Sequence, residues 1–455
     1  MSNWRPAFFP RHPRSSRSGP RRTSPPRLLI ESFLVLITIG TCLLKTPWAT
    51  HVPVTWLEAA FTATSAVTVT GLVVVDTGSQ FTVFGQVVIL SLIQLGGLGL
   101  MTFAVLTAVA LGFRLGLKQQ LFAQEALNEI SIKTTRKAGA SIAAFALISE
   151  AIGLLILAGF FVPEKGWGDG LYHALFYSIS AFNNAGFALS SSSLMSYVSS
   201  PGITLTVSAL FIVGGLGYIV VKEVVEKRSF SALSVYSKLI LVTTVILNLA
   251  ATAIFLLLEY GNPNTLGALG GWGDKLLAAW FQSTTPRTAG FNTLDISALT
   301  SGTCVMFLLL MFIGGAPNST SSGIKLSTFV ILIAATRSFL RGNLHATLFK
   351  RSLTQEAVIK ALAITTIAMA TIFLGVFGLA ITMRTGFLDL AFEVVSAFGT
   401  VGLSRGTTGE LGAPGQIIIM VVMVVGRVGP LTLGYILTMR RKLHVRYAKT
   451  EFPVG

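Results

Sequence analysis

Four short stretches carry the residue types best suited to chemistry here, and that chemistry is cation coordination by main-chain oxygen. They are Val69-Thr70-Gly71, Asn184-Ala185-Gly186, Thr288-Ala289-Gly290 and Thr400-Val401-Gly402. Each follows a mostly apolar segment and ends on a glycine. Ten residues before the glycine stand Phe61, Phe176, Trp280 and Phe392; six before it stand Ser65, Ser180, Thr284 and Ser396. One after it stand Leu72, Phe187, Phe291 and Leu403. In a chain that is only 10% aromatic, agreement of type at three offsets marks an internal repeat. Its period is about 110 residues, one quarter of the chain and too long for a solenoid unit.

Glycine reaches positive φ without steric cost. Non-helical backbone at membrane depth persists only where it lines a water-filled cavity or is buried in protein. Four such strands about one axis would form a ring of carbonyls that can replace an ion's hydration shell. The competing reading is small-residue helix packing. For any single stretch that is the better reading; for the set of four, the ring is.

The elements that must position these strands are membrane helices. The 455 residues are 52% hydrophobic and 11% charged, with a mean hydropathy of +0.73, which describes a polytopic membrane protein rather than a soluble globule. Long apolar spans are expected at 28–44, 138–162, 239–258 and 361–382. Each is followed by a short helix, near 55–67, 170–182, 274–285 and 388–398, too short for a bilayer that needs about 20 residues. A second long span follows each strand, at 81–113, 203–221, 303–336 and 416–439. The expected fold is therefore an all-α polytopic membrane protein: four helix–re-entrant loop–helix repeats about a pseudo-fourfold pore, with eight full spans. The units are 28–113, 114–221, 222–336 and 337–439, flanked by a disordered basic arm, 1–27, and a cytoplasmic tail, 440–455.

Charge sets the orientation. The arm holds seven arginines and no acid, and the span after it lacks a small-residue cleavage site, so it is not read as a signal peptide. The arm, three loops and the tail carry 26 of the 34 Lys and Arg residues. The positive-inside rule makes that face, with both termini, cytoplasmic, and it makes nucleic acid an unneeded explanation of the +16 net charge. Glu58, Asp76, Glu164, Asp169, Glu259, Asp274, Asp295, Asp389, Glu393 and Glu410 fall on the opposite face, where acids either raise the local cation concentration or are simply solvated. Short helices whose C-termini converge add a negative dipole end. Cys42 and Cys304 suggest neither a disulfide nor a metal site. The five histidines are scattered. No phosphate-binding loop, zinc motif or catalytic triad occurs, so no enzyme is expected.

Glycine knots recur in the second spans at Gly96-Gly97-Leu98-Gly99, Gly214-Gly215-Leu216-Gly217, Gly314-Gly315 and Gly426-Arg427-Val428-Gly429. Close packing or bending is the ordinary explanation. The third knot extends into Gly314-Gly315-Ala316-Pro317-Asn318-Ser319-Thr320-Ser321-Ser322-Gly323, which cannot be a comfortable helix. It reads as an intramembrane gate loop, with a cytoplasmic turn as the alternative; Gly314, Gly315, Pro317, Ser319, Thr320, Ser321 and Gly323 are its candidate residues. Arg427 lies near the centre of its span, where an arginine costs about 2.5–3.5 kcal/mol and so needs a wet interior or a partner. It is expected to donate to carbonyls of the loop, or else to snorkel. Lys325 either assists or marks the cytoplasmic end. Glu150 is expected to hydrogen-bond to a neighbouring helix, with a proton relay as the rival role.

These units, the glycines Gly71, Gly186, Gly290 and Gly402, the loop and Arg427 together resemble the Trk/Ktr/HKT superfamily of potassium transporters over residues 28–450. The single helix before the first strand is similar to the KtrB type of membrane subunit. The resemblance implies gated potassium uptake and a homodimer in the cell inner membrane, with a KtrA-like cytoplasmic ring of nucleotide-binding subunits. Potassium would be bound at the backbone carbonyls of the twelve strand residues; no covalent cofactor is implied, and sodium acts as an activator in many members. Thr400-Val401-Gly402 alone reproduces the Thr-Val-Gly core of tetrameric potassium channels. The alternative is a sodium-coupled secondary carrier with alternating access, which usually shows two repeats and acidic midplane ligands.

Overall fold

The computed structural model describes residues 25–99, 135–317, 319–343, 346–349 and 351–429. Expectations for the basic arm before residue 25, the loop 114–134 and the tail from 440 fall outside these residues. The described chain holds fifteen α-helices and one two-stranded hairpin.

The first quarter runs α1 (Pro25–Leu44), α2 (Trp56–Val67), a single turn α3 (Thr77–Gln80) and α4 (Val83–Gly97). The second runs α5 (Thr135–Lys165), α6 (Trp167–Phe182), α7 (Pro201–Leu216) and α8 (Tyr218–Lys227). The third holds α9 (Val235–Glu259), α10 (Trp272–Thr284), α11 (Ser301–Phe312) and α12 (Leu326–Leu340), and the hairpin β1 (Thr347–Leu348) and β2 (Arg351–Ser352) follows it. The last holds α13 (Gln355–Thr382), α14 (Phe387–Gly399) and α15 (Ala413–Val428).

The four short helices start where local chemistry favours it. Thr55 and Glu58 form a reciprocal capping box on α2. The other three begin after Gly166, Gly271 and Gly386. All four carry an acid in the first turn, namely Glu58, Asp169, Asp274 and Asp389, and none has a base in the last. The acids complement the positive N-terminal dipole ends and leave the negative C-terminal ends without a cation.

Eight continuous spans were expected, and the described helices differ. Three are long and apolar enough to cross a membrane, within α5, α9 and α13, and a fourth if α7 and α8 count as one span. That pair bends by 99° at Gly217, whose φ of 79° and ψ of 153° are not helical. The third quarter's span 303–336 is split into α11 and α12 by the segment 313–325. In the first and last quarters, α4 and α15 end beside residues outside the described set.

The helices pack in a cycle. The second helix of each quarter lies on the short helix of the next: α4 on α6, α7 on α10, α11 on α14, and α15 back on α2. Packing in an apolar solvent rests on close van der Waals contact, and the glycine knots provide it. A Cβ at Gly96 would strike the Val67 carbonyl, one at Gly214 the Phe182 carbonyl and one at Gly426 the Phe398 carbonyl. Each of those carbonyls belongs to the residue four before the strand glycine. The knots are therefore seats for helix C-termini, not only points of bending. Of the aromatics ten before each glycine, Phe61, Phe176 and Phe392 are fully buried, while Trp280 is half-buried and reaches Ser208 Oγ at 3.4 Å.

Candidate ion-coordination site

Each short helix ends in a strand whose backbone alternates in hand. The residue two before the glycine is left-handed in all four: Val69 at φ 57°, Asn184 at 61°, Thr288 at 73° and Thr400 at 49°. The glycines themselves have φ of 88°, 70°, 81° and 91° at Gly71, Gly186, Gly290 and Gly402. A β-branched residue at positive φ is an outlier, and such strain persists only where the surroundings over-determine it. In an ordinary strand, successive residues face opposite sides; alternation of hand allows neighbouring carbonyls to share a side.

Short-range hydrogen bonds hold this shape. The N–H of Thr70, Ala185 and Val401 donates five residues back, to Ser65, Ser180 and Ser396, each at 2.8 Å. Ser65 Oγ then accepts from the Gly71 N–H at 3.0 Å, and Ser180 Oγ donates to the Phe187 carbonyl at 2.8 Å. The third strand departs from this plan. There Ala289 N donates to the Thr285 carbonyl, only four back, at 2.9 Å, and it is the Thr285 hydroxyl that reaches the Phe291 carbonyl at 2.6 Å. The sequence alignment gave that place to Thr284, which instead bonds back into its own helix. The spacing is shifted by one residue because the helix closes one residue tighter.

The four strands meet. A Cβ on Gly71 would strike the Ala185 carbonyl, one on Gly290 the Val401 carbonyl and one on Gly402 the Thr70 carbonyl. A Cβ on Gly186 would stand 3.0 Å from the Ala289 oxygen and 2.9 Å from the Gly290 Cα. In every case the oxygen belongs to the residue just before the neighbouring strand's glycine. The order is first to second to third to fourth to first, the same cycle as the helices. The side chains of Val69, Thr70, Asn184, Ala185, Thr288, Ala289, Thr400 and Val401 are all buried. Arg287, beside the third strand, turns away: its guanidinium donates to Asn248 Oδ1 on α9 at 2.8 Å.

The segment 313–325 lies against this cluster. Thr320 Oγ1 donates to Asn184 Oδ1 at 2.9 Å, and Asn184 Nδ2 faces Ser321 Oγ at 3.5 Å and Thr288 Oγ1 at 3.3 Å. Asn184, picked from the sequence for its backbone, thus also acts through its side chain. Its signal was an amide where the other strands carry Val69, Thr288 and Thr400. The loop is pinned to the second knot by Ala316 N on the Gly215 carbonyl at 2.9 Å and Thr320 N on the Gly214 carbonyl at 3.3 Å. It closes on itself through Gly314 N on the Ile324 carbonyl at 2.9 Å and Leu326 N on the Gly315 carbonyl at 3.0 Å. Gly314, Gly315, Thr320, Ser321 and Gly323 are buried, and Pro317 and Ser319 half-buried. Lys325 Nζ donates back to the Ser321 carbonyl at 2.5 Å.

Arg427 gathers three acceptors. One nitrogen donates to the Thr320 carbonyl and to Ser322 Oγ at 3.2 Å; the other reaches the Gly96 carbonyl at 2.7 Å. It is anchored in the interior rather than snorkelling. The acids assigned to an outer cluster are mostly engaged as well. Glu393 is fully buried and accepts from Ser404 and Thr408 at 2.8 and 2.5 Å. Glu259 accepts from Thr300 and Thr303, and Asp389 pairs with Arg405 at 2.7 Å. They tie loops to helices, a task that sequence position alone does not distinguish from solvated charge.

A cyclic set of membrane helices around four convergent glycine strands defines a transport protein rather than a soluble binding module. The family model of the TrkH cation transport proteins matches residues 9–444, and the chain belongs to that family. It is 47% identical over 434 residues to the Ktr system potassium uptake protein B of Bacillus subtilis (strain 168), covering 95% of this chain and 97% of the relative. It is 44% identical over 432 residues to the protein of the same name from Vibrio alginolyticus, covering 94% and 95%. The crystal structure of the potassium transporter TrkH from Vibrio parahaemolyticus superposes with a TM-score of 0.74 at 18% identity, covering 93% of this chain and 86% of that one. The chain is a multi-pass membrane protein of this family.

Proposed function

We propose that the chain takes up potassium through a pore lined by the carbonyls of the four glycine strands. The observation that carries this reading is the head-to-tail approach of four carbonyls, from Thr70, Ala185, Ala289 and Val401, to four glycines in a closed cycle. Oxygen dipoles gathered about one axis replace the water of a monovalent cation. The short helices contribute the negative ends of their dipoles to the same place. The names of the two Ktr relatives support potassium as the cargo. The segment 313–325 acts as a gate: Thr320 and Ser321 lie against Asn184 of the second strand, so an ion leaving the strands meets it next. Arg427 holds that gate. The membrane subunit works as a homodimer with a KtrA-like cytoplasmic ring that moves the loop, with both termini in the cytoplasm. Alternating access is less well supported, because the convergent groups are main-chain oxygens rather than acidic side chains.

Tracer uptake into proteoliposomes tests the reading. Gly290→Ser places a side chain at φ 81° against the Val401 carbonyl. Potassium preference over sodium should fall by roughly tenfold, about 1.4 kcal/mol. An unchanged ratio would refute the carbonyl ring.

A further inference from the structure

The residue three before each strand glycine is different in every quarter: Thr68, Asn183, Arg287 and Gly399. Two of these reach behind the strand to the long first helix of their own quarter. Arg287 bonds to Asn248 on α9. Asn183 bonds to Glu150, which lies in the middle of α5, through Nδ2 on Oε1 at 3.0 Å.

Glu150 is 6% exposed and Asn183 fully buried. They form a closed triangle with Gln94 of α4. Gln94 Nε2 donates to Glu150 Oε2 at 3.1 Å, and Asn183 Nδ2 also faces the Gln94 Oε1 at 2.8 Å. Both carboxyl oxygens therefore accept from an amide N–H. A Cβ on Gly97 would strike Asn183 Oδ1, so that glycine makes the room in which the triangle closes. Ser178 Oγ donates to the Glu150 carbonyl at 2.6 Å and fixes α6 to α5 at the same level.

The next residue along from Asn183 is Asn184, left-handed at φ 61°, whose side chain touches both Thr288 of the third strand and Thr320 of the loop. The orientation of Asn183 thus governs the entry of the second strand into the cluster. We propose that Glu150 is a positioning residue for ion discrimination: its carboxylate clamps Asn183 and so sets the second strand and the loop contacts of Asn184. A carboxyl group is suited to this because both of its oxygens accept, one for each neighbouring amide, at 3.0 and 3.1 Å. A neutral amide in its place would have to present an N–H where both neighbours already donate.

This inference rests on the carbonyl-ring reading, and the experiment separates the two. Potassium uptake with sodium as competitor is measured in proteoliposomes for the wild type, Glu150→Gln, the exchange Glu150→Gln with Gln94→Glu, and Gly290→Ser. Glu150→Gln should lower potassium preference by roughly tenfold, about 1.4 kcal/mol. The exchange keeps one carboxylate and two amides in the triangle and should recover most of that loss. If Glu150→Gln fails to assemble, Gln94→Met, which removes one donor to the carboxylate, should lower the preference in the same direction but less. A wild-type ratio in Glu150→Gln, in Gln94→Met, or an exchange variant no better than the single one, overturns the assignment. If Gly290→Ser also leaves the ratio unchanged, the carbonyl ring itself falls; if Gly290→Ser alone lowers it, only the role of Glu150 does.

Discussion

The guanidinium of Arg427 donates to the carbonyl of Gly96 at 2.7 Å across 331 residues of chain. The same glycine receives the Val67 carbonyl against its Cα. One residue of the first quarter is thus held from two sides, by its own short helix and by the last helix. Arg427→Ala would leave the Thr320 carbonyl and the Ser322 hydroxyl without their donor and would leave the Gly96 carbonyl only backbone donors such as the Gly99 N–H at 3.3 Å. Unmet buried acceptors make the expected loss of stability about 2–4 kcal/mol, read as earlier thermal unfolding in detergent. Ion flux should rise as the loop is freed. Arg427→Lys should restore less than half of the effect, because a point charge cannot serve carbonyls on two segments as a planar fork does.

The knots make a second prediction, with an internal control. Gly96→Ala and Gly426→Ala force a methyl into a helix-end carbonyl, and overpacking of this kind costs about 1–3 kcal/mol. Gly159 lies in α5 with open space around it. Gly159→Ala should be neutral or stabilising by about 0.5–1 kcal/mol, the ordinary helix preference of alanine. Equal melting temperatures for all three variants would rule out the seating role.

Deleting Gly315–Gly323 should raise potassium flux and uncouple it from any cytoplasmic regulator, as measured by tracer uptake. Asn184→Ala, which removes the side-chain contacts to Thr320 and Ser321, should move flux the same way by a smaller factor. Flux unchanged in both would remove the gate.

A pH prediction arises at the junction of α8 and α9, beyond the bend at Gly217. Burial alone would raise the Glu223 carboxyl, but hydrogen bonds from Lys227, Ser237 and Ser234 outweigh it and hold the group at about 2. A depressed acid stabilises the fold above its ordinary range and loses that stabilisation as pH falls toward its folded value. The stability difference between wild type and Glu223→Gln should therefore be constant at neutral pH, shrink below about pH 4.5, and vanish near pH 2. A difference that grows on acidification would contradict the assignment.

The short helices were legible in the sequence because their signals are local. The expected 170–182 is observed as Trp167–Phe182, and 388–398 as Phe387–Gly399. Thr55, expected as the first residue of its helix, is instead the N-cap. Glycine at four matched positions also pointed to one cluster, since a positive φ leaves a mark in residue type. What was not legible depends on which residue lies across from which. Spacing could not show that Gly426 exists for the Phe398 carbonyl, or that Thr285 rather than Thr284 ties down the third strand. Nor could it separate Glu393, sealed beneath Ser404 and Thr408, from an acid in solvent. Gly217 holds the same place in its knot as Gly99 and Gly429, and all three have positive φ, of 79°, 73° and 90°; the residue types did not show that the pair flanking Gly217 bends there by 99°.

The cycle closes where Gly402 meets Thr70, so a single polypeptide supplies all four walls. In an assembly of four identical chains, any substitution in one wall appears in the other three. Here each wall can be changed alone. Arg287 stands beside one strand only, the Glu150 triangle braces one, and one second helix is interrupted by a loop. Symmetry in this molecule is a frame on which each quarter has been free to specialise.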